Sequence, residues 1–449
     1  MSIARSGIHS ALFRAIQVKP EEIRALTWSF LYFFVLLCAY YIVRPMRDEM
    51  GILGGVENLQ WLFTGTLLAM TAAVPLFGWV SSRFPRRQFL PYVYFFFILC
   101  LVLFYSLMGG HVAEHVVARG FFIWASVFNL FVVSVFWSFM NDIFSNAQAR
   151  RLFGVIAAGG TVGALTGPAL TALLVQPLGA RNLLLVSAVL LSVAIVCIMQ
   201  LSKWSAKQPD TEGYVSAEIA DKPMGGGIWH GIQLVVQSPY LIGICFLMLL
   251  FTSLATFLYF MQAQIVRDAF SDSTQRTALF ATIDLSVNAL TLLLQFFITS
   301  RLVKWLGVGM VLAIVPLLLA TGFVALGIAP VLAVLIGVQV IRRAGNYAIT
   351  RPAREMLYVV LGREEKYKAK NFIDTVVYRT GDAISAWLYA GLRSMGIGLS
   401  AIAFIAVPLA LVWAWLGFGL GKQQAQLAIT GASKGAKPRE GKPTKEETT

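Results

Sequence analysis

Residues 25–43 read ALTWSFLYFFVLLCAYYIV, a run without charge that ends at the basic and acidic cluster RPMRD of residues 44–48. A helix needs about 20 apolar residues to cross about 30 Å of hydrocarbon, so this run predicts one membrane span. Comparable runs predict eleven further spans at residues 58–80, 89–108, 119–140, 152–175, 182–201, 239–265, 277–299, 308–327, 330–350, 372–394 and 398–420. Because backbone polar groups cannot stay unpaired in lipid, we expect an all-α integral membrane protein with about twelve transmembrane helices.

The composition favours a lipid environment over water. Hydrophobic residues make up 58% of the chain and charged residues 13%, whereas soluble domains average about 45–50% and about 25%. We attribute the net charge of +14 to loops beside anionic lipid rather than to nucleic acid, because no aromatic-basic module accompanies it. The four cysteines are scattered, and neither an HExxH motif nor a Walker loop is present. We therefore expect no metal, no cofactor and no enzymatic activity.

A hydrophilic linker at residues 202–238 divides the spans into two sets of six. The predicted organisation is an N-terminal six-helix half at residues 1–201, the linker, a C-terminal half at residues 239–420, and a disordered tail at residues 421–449 that is rich in Lys, Gly, Thr and Glu.

Charge bias predicts the orientation in the membrane. Of the 36 Lys and Arg residues, 26 fall on the side of both termini and the linker, seven fall on the opposite side, and three lie within spans. Since basic residues collect on the cytoplasmic side, both termini and the linker should be cytoplasmic in a plasma (bacterial inner) membrane. We expect a monomer in contact with membrane lipids.

Two motifs of the N-terminal half are similar to those of the major facilitator superfamily. Gly78-Trp-Val-Ser-Ser-Arg83-Phe-Pro-Arg86-Arg87 resembles the superfamily's gating loop, with Ser82 in place of its acid. The fifth span carries Gly159, Gly163, Gly167 and Pro168, which resemble its glycine-proline helix. Glycines at every fourth position let two helices approach closely, so generic helix packing is the alternative interpretation of this second motif. The resemblance implies two six-helix halves and transport by alternating access.

A second resemblance is to the ATP/ADP translocase family of plastids and intracellular bacteria. It rests on the stretch RPAREMLYVVLGREEKYKAKNFID at residues 351–374, on RPMRD at residues 44–48, and on FWSFMND at residues 136–142. The family's basic positions map onto Arg47 and Arg354, while its acidic residue in the fourth span has no counterpart near Phe128. The resemblance implies exchange of nucleotides.

The chain also repeats one motif. IVRPMRD at residues 42–48 and ITRPARE at residues 349–355 match in the positions of both arginines, the proline and the acid. First and tenth spans occupy equivalent places in three-helix repeats, and inverted repeats place such ends on opposite membrane faces. One copy would then guard the outer mouth and the other the inner mouth. The alternative is two helix ends whose arginines reach the headgroups.

Polar side chains form stripes within four spans. In the tenth span, Gln339, Arg343, Asn346, Tyr347, Thr350 and Arg354 share one face, with Arg342 at its edge. Intramembrane charges normally face a bundle interior, where they pair or bind substrate. For Arg343 we favour substrate contact over a pair with Asp284, and for Arg379 we favour a pair with Asp382. If Asp284 remains unpaired it is a candidate proton carrier, whereas pairing with Arg343 would suit exchange.

These stripes give the candidate site. The predicted substrate-binding residues are Arg44, Arg47, Arg343, Asn346, Tyr347 and Arg354, with Tyr41 shaping the pocket. The predicted coupling or gating residues are Asp48, Asp284, Glu355, Asp374, Arg379 and Asp382. Arginine suits bidentate capture of phosphate or carboxylate, so we expect a secondary transporter for a small anionic, phosphorylated or nucleotide-like metabolite. The alternatives are a proton-coupled efflux pump for amphipathic compounds and a membrane scaffold that does not transport.

Overall fold

The computed structural model describes residues 18–83, 86–110, 112–206 and 228–435, and within these ranges the secondary structure is helical, without strands. The first six helices are α1 (Ile23–Leu53), α2 (Leu59–Arg83), α3 (Arg86–Leu107), α4 (Glu114–Ile143), α5 (Asn146–Leu178) and α6 (Ala180–Ser205). Then follow the short α7 (Ile228–Gln237), α8 (Pro239–Ala269), α9 (Ser273–Leu294), α10 (Ser300–Ile328), α11 (332–357), α12 (363–394) and α13 (Leu399–Gly435).

Short π-helical segments interrupt the C-terminal helices at three places. Gln295–Thr299 joins α9 to α10, Asn346–Thr350 lies inside α11, and Ile373–Val377 lies inside α12. Gly307 takes a φ of +71° within α10, where it separates the predicted eighth and ninth spans. Only glycine adopts such a φ readily, so the turn between these spans depends on this residue.

The predicted all-α membrane fold is confirmed. Ten of the described helices are long and apolar enough to cross a membrane. The two other long helices are α11 and α12, and they are less apolar because they carry the charged stripes of the tenth and eleventh spans. Their polar faces need shielding from lipid, which a bundle interior supplies.

Two segments differ from the sequence-based expectation. The last helix continues to Gly435, so the tail predicted to be disordered from residue 421 is helical over residues 421–435. The predicted linker contains the helix Ile228–Gln237, which packs against the beginning of α12. Linker residues 207–227 and tail residues 436–449 lie outside the described residues.

The predicted glycine motif packs against the first helix. A Cβ atom on Gly159 would lie 2.5 Å from the carbonyl oxygen of Phe30, and one on Gly167 would lie 2.7 Å from that of Cys38. Gly163 faces the carbonyl oxygen of Phe34 even more closely. Because a methyl group fits at none of these positions, the three glycines bring α5 into backbone contact with α1. Pro168 is buried next to this stripe.

Candidate substrate-binding site

A buried aspartate joins two arginines near the middle of the bundle. Asp284 on α9 accepts a hydrogen bond from Arg343 on α11, with 2.5 Å between its Oδ1 and Nη2 of the arginine. Its Oδ2 lies 3.6 Å from Nε of Arg44 on α1. Arg44 lies nine residues before Leu53 at the end of α1, which places it about 14 Å from that end. The two halves are therefore linked by charge at mid-height.

Asp284 forms a hydrogen bond with Arg343, whereas Arg44 is held only at ion-pair distance. The side chain of Asp284 is 1% exposed, that of Arg343 is 9% exposed and that of Arg44 is 17% exposed. Arg44 also lies over the ring of Tyr41, with 5.6 Å from Cζ to the ring centroid. Two cations that share one carboxylate leave one positive charge without a counter-charge, which favours binding of an anion.

Buried oxygen atoms without hydrogen-bond partners occur on α9 and α11, the two helices that carry Asp284 and Arg343. They are Oδ1 of Asn346, Oγ1 of Thr350, Oγ1 of Thr291 and Oδ2 of Asp284. Asn346 and Thr350 begin and end the π-helical segment of α11, and Thr299 donates a hydrogen bond of 2.9 Å to the carbonyl oxygen of Ala348 inside it. Since buried polar groups are normally paired, these atoms are candidates for contact with a ligand or its water. Tyr347 follows Asn346 in the same segment, so the predicted pocket residues lie together.

Arg47 is placed differently from Arg44. Its Nε donates to Oγ of Ser126 at 2.8 Å, its Nη1 donates to Asp48 at 3.1 Å, and its guanidinium lies 4.0 Å from the ring centroid of Phe122. Asp48 also accepts a hydrogen bond of 3.1 Å from Tyr259 on α8. Arg47 is thus already engaged by its neighbours, one helical turn from Arg44 towards the end of α1.

Beyond Arg47, paired charges and side-chain contacts connect the two halves. Arg276 donates to both carboxylate oxygens of Glu49, with distances of 2.7 and 2.8 Å, and the two side chains are 7% and 0% exposed. An exposed ion pair joins Glu57 to Arg267, and Trp387 donates to Oγ1 of Thr64 at 3.1 Å. We call the end of the bundle formed by Asp48, Glu49, Glu57 and these partners the sealed mouth. Sequence reasoning missed Glu49, Glu57, Arg267 and Arg276.

At the opposite mouth, the second copy of the repeated motif pairs within its own half. Arg354 lies 3.8 Å from Asp374, and Lys370 lies 2.5 Å from Glu355. The Nε atom of Arg354 and the Oδ1 atom of Asp374 are buried without a hydrogen-bond partner. Arg354 follows Arg343 by eleven residues in α11, which separates them by about 16 Å. The structure therefore does not bring Arg354 into the central cluster where we predicted it.

Arg379 pairs with Asp382 at 3.6 Å, as we favoured from their spacing in α12.

The predicted gating loop is described in part. Gly78 lies in α2, and Arg83 at its end is exposed, with its guanidinium 4.8 Å from the ring centroid of Trp79. The side chains of Arg86 and Arg87 lie outside the described residues.

A separate cavity of about 210 Å³ lies between α10 and α11. Its lining is mostly aliphatic, with Thr321 and Arg342 as its polar members. The aliphatic part of this lining does not suit a small anion, so we place the candidate site at Arg44, Asp284 and Arg343, and Arg342 is the lining residue that adjoins that site in α11.

The apolar helices define an integral membrane protein, and charges buried between its two halves are typical of the secondary-transporter class. The chain matches the model of the Major Facilitator Superfamily over residues 26–354, and it belongs to that superfamily. ADP,ATP carrier protein 1 of Chlamydia muridarum (strain MoPn / Nigg) is 23% identical over 89% of this chain and 88% of its own length. ADP,ATP carrier protein 2 of Chlamydia pneumoniae is 22% identical over 92% and 91%. The predicted resemblance to the ATP/ADP translocase family is confirmed.

Solved transporter structures share the fold. The nucleoside transporter NupG has a TM-score of 0.59 and 13% identity, over 90% of this chain and 99% of its own. A bacterial homologue of the human lysosomal transporter Spinster, in an inward-facing and unoccupied conformation, has a TM-score of 0.57 and 15% identity, over 91% and 99%.

Proposed function

We propose that this transporter exchanges an anionic metabolite, phosphorylated or nucleotide-like, by alternating access. One observation carries the proposal: a single buried carboxylate, Asp284, is shared by Arg343 and by Arg44. The names of the relatives, which are ADP,ATP carriers and a nucleoside transporter, support a phosphorylated or nucleotide-like substrate.

The shared carboxylate suggests how exchange would work. Without substrate, Asp284 is the counter-charge that makes buried Arg343 tolerable, because an unpaired charge inside a membrane protein is costly. An incoming anion with two oxygens can accept from the planar guanidinium of Arg343 and displace the aspartate. When the anion leaves, Asp284 returns to the arginine. Substrate and Asp284 thus alternate as partners of the same cation.

Asp284→Asn separates exchange from proton coupling. In the exchange mechanism the variant leaves Arg343 without a counter-charge, so exchange fails or its affinity changes, with little dependence on a pH gradient. In a proton-coupled mechanism the variant loses accumulation driven by pH but keeps exchange of substrate for substrate.

The measurement is uptake of labelled nucleotides, sugar phosphates and carboxylates into proteoliposomes, with and without internal substrate, at equal and unequal pH. We expect uptake of a phosphorylated compound that requires internal substrate. Arg301→Gln is the control, because Arg301 is an exposed arginine at the beginning of α10, outside both the site and the predicted gating loop. Strong uptake into empty vesicles driven by a pH gradient alone contradicts exchange. Failure of every anion, with the protein folded, favours the scaffold alternative.

A further inference from the structure

Arg342 is an arginine beside the central cluster that the proposed exchange leaves without a role. Its Nε and Nη2 donate to Oε1 of Gln339 at 3.3 and 3.0 Å. Among the described residues, no carboxylate lies within ion-pair distance of it. Gln339 in turn donates to Gln262 on α8 at 2.5 Å, so the amide that holds the guanidinium is itself fixed.

The position of Arg342 places it in the same electrostatic environment as the proposed site. It is adjacent to Arg343 in α11, and its charge interacts with Arg44, Tyr347 and Tyr378 and with Asp382, the carboxylate that pairs with Arg379. An amide oxygen satisfies hydrogen bonds of a guanidinium but supplies no negative charge. A second cation therefore lies beside the cluster without a carboxylate of its own, because Asp382 forms its ion pair with Arg379.

The charged side chains near Asp284 and Arg343 carry more positive than negative charge. Among the described residues, the central part of α1, α9, α11 and α12 carries six charged side chains, namely Arg44, Arg342, Arg343, Arg379, Asp284 and Asp382. Four positive and two negative charges leave an excess of two. The next level towards the sealed mouth does not alter the balance, because Arg47 pairs with Asp48 there.

We infer that the substrate is a dianion and that Arg342 is the residue that selects for its second negative charge. This inference rests on the proposed function and deepens it by assigning the charge of the substrate. One end of a phosphate monoester or dicarboxylate would bind Arg343 in place of Asp284. Its second charge would neutralise Arg342. No partner has to be displaced from Arg342, because the arginine can keep its hydrogen bonds to Gln339. A monoanion would leave this cation without a counter-charge.

The test compares dianions with matched monoanions on the purified full-length protein. The probes are AMP with its phosphate methyl ester, and succinate with monomethyl succinate. Binding is measured by calorimetry at about pH 8, where a phosphate monoester, with a second pKa of about 6, is doubly charged. We expect the wild-type protein to prefer the dianion in at least one pair. In Arg342→Gln that preference should fall roughly tenfold to a hundredfold, as expected for loss of one charge-assisted contact, while affinity for the monoanion changes little.

Two variants control for structural effects. Arg342→Lys keeps the charge and should keep most of the preference, whereas a purely structural role in holding Gln339 would be lost with the guanidinium. Arg301→Gln should leave the ratio at the wild-type value, because Arg301 is exposed and lies outside both the site and the predicted gating loop.

The outcomes separate this inference from the proposed function. If only the succinate pair shows a preference that depends on Arg342, the phosphorylated substrate is wrong and the dianion site stands. If AMP and its methyl ester bind equally well, with no effect of Arg342→Gln, the phosphorylated substrate stands and this inference is overturned. A wild-type protein that binds neither dianion also overturns it.

Discussion

Glu49→Gln should shift the transporter away from the conformation described here. The carboxylate of Glu49 on α1 receives three hydrogen bonds from Arg276 on α9, and both side chains are almost fully buried. Arg276 also donates to the carbonyl oxygens of Phe270 and Ser271, at 2.8 and 3.1 Å, which fixes the guanidinium where it is. The substitution leaves this buried cation without its counter-charge and without bidentate geometry.

The size of the effect follows from the burial of the pair. Removing one partner of a buried ion pair destabilises a structure by about 3–5 kcal/mol. When the halves separate at the sealed mouth, Glu49 and Arg276 become hydrated, so the substitution costs little in the open state. The cost therefore falls mainly on the sealed state. Because about 1.4 kcal/mol corresponds to a factor of ten, the ratio of sealed to open molecules should fall by roughly two to four powers of ten.

Spin labels across the mouth measure this ratio. His115 at the beginning of α4 and Met395 after α12 are exposed and lie outside the ion pairs. Replacing both by cysteine in a background without the four native cysteines allows pulsed electron-resonance distances to be recorded. We expect a single short distance for the parent protein and a longer, dominant distance for Glu49→Gln.

Glu57→Gln is a matched control for burial. It makes the same change in the same half at the same mouth, and its partner Arg267 also belongs to the other half. The Glu57 side chain is 71% exposed, and exposed ion pairs contribute about 0–1 kcal/mol. Its distance distribution should therefore stay close to that of the parent protein. If Glu49→Gln also leaves the distribution unchanged, the Glu49 to Arg276 pair does not hold the mouth closed.

Three further predictions test the site, the packing and the topology. Arg343→Gln should weaken binding of the anion by one or two powers of ten in calorimetry, since a charge-assisted hydrogen bond contributes about 1.5–3 kcal/mol, and Arg343→Lys should recover only part; unchanged affinity would return Arg343 to a structural role. Gly163→Ala should destabilise the protein by about 1–3 kcal/mol in thermal unfolding, because its Cβ meets the Phe34 carbonyl, whereas Gly154→Ala, with open space around it, should not; equal melting temperatures would contradict the packing argument. A cysteine at Ser216 in the linker should resist labelling from outside intact cells, and efficient labelling there refutes the predicted orientation.

The sequence predicted the parts of the structure that depend on one helix at a time. Apolar runs of sufficient length identified the spans, because the hydrocarbon thickness sets the same requirement for each of them. The glycine stripe identified a close helix contact, since only a missing side chain allows backbones to touch. Helical spacing placed Arg343, Asn346 and Tyr347 on one face, and the structure keeps them together.

Contacts between the halves could not be predicted in the same way. Glu49 and Arg276 are 227 residues apart, and neither belongs to a polar stripe in its own helix. Each looks like a charge at a helix end that could reach the headgroups. Only the packing of α1 against α9 shows that the two charges meet. For Arg354 the sequence predicted a contact that the structure does not show. It shares a helical face with Arg343, but it lies about three turns further along α11 and therefore at a different depth in the membrane.

The repeated motif explains how the two mouths differ. In the first copy, Asp48 accepts from Tyr259 of the other half, and the adjacent Glu49 holds Arg276 of that half. In the second copy, Glu355 and Arg354 pair with residues of their own half. If the copies are related by an inverted repeat, they exchange roles when the access side changes. The Nε atom of Arg354, which has no hydrogen-bond partner, fits such an exchange of roles. An arginine with fewer hydrogen bonds loses less free energy on changing partners than the tightly paired Arg276. In that case the asymmetry between two similar sequences belongs to the conformation and not to the motif.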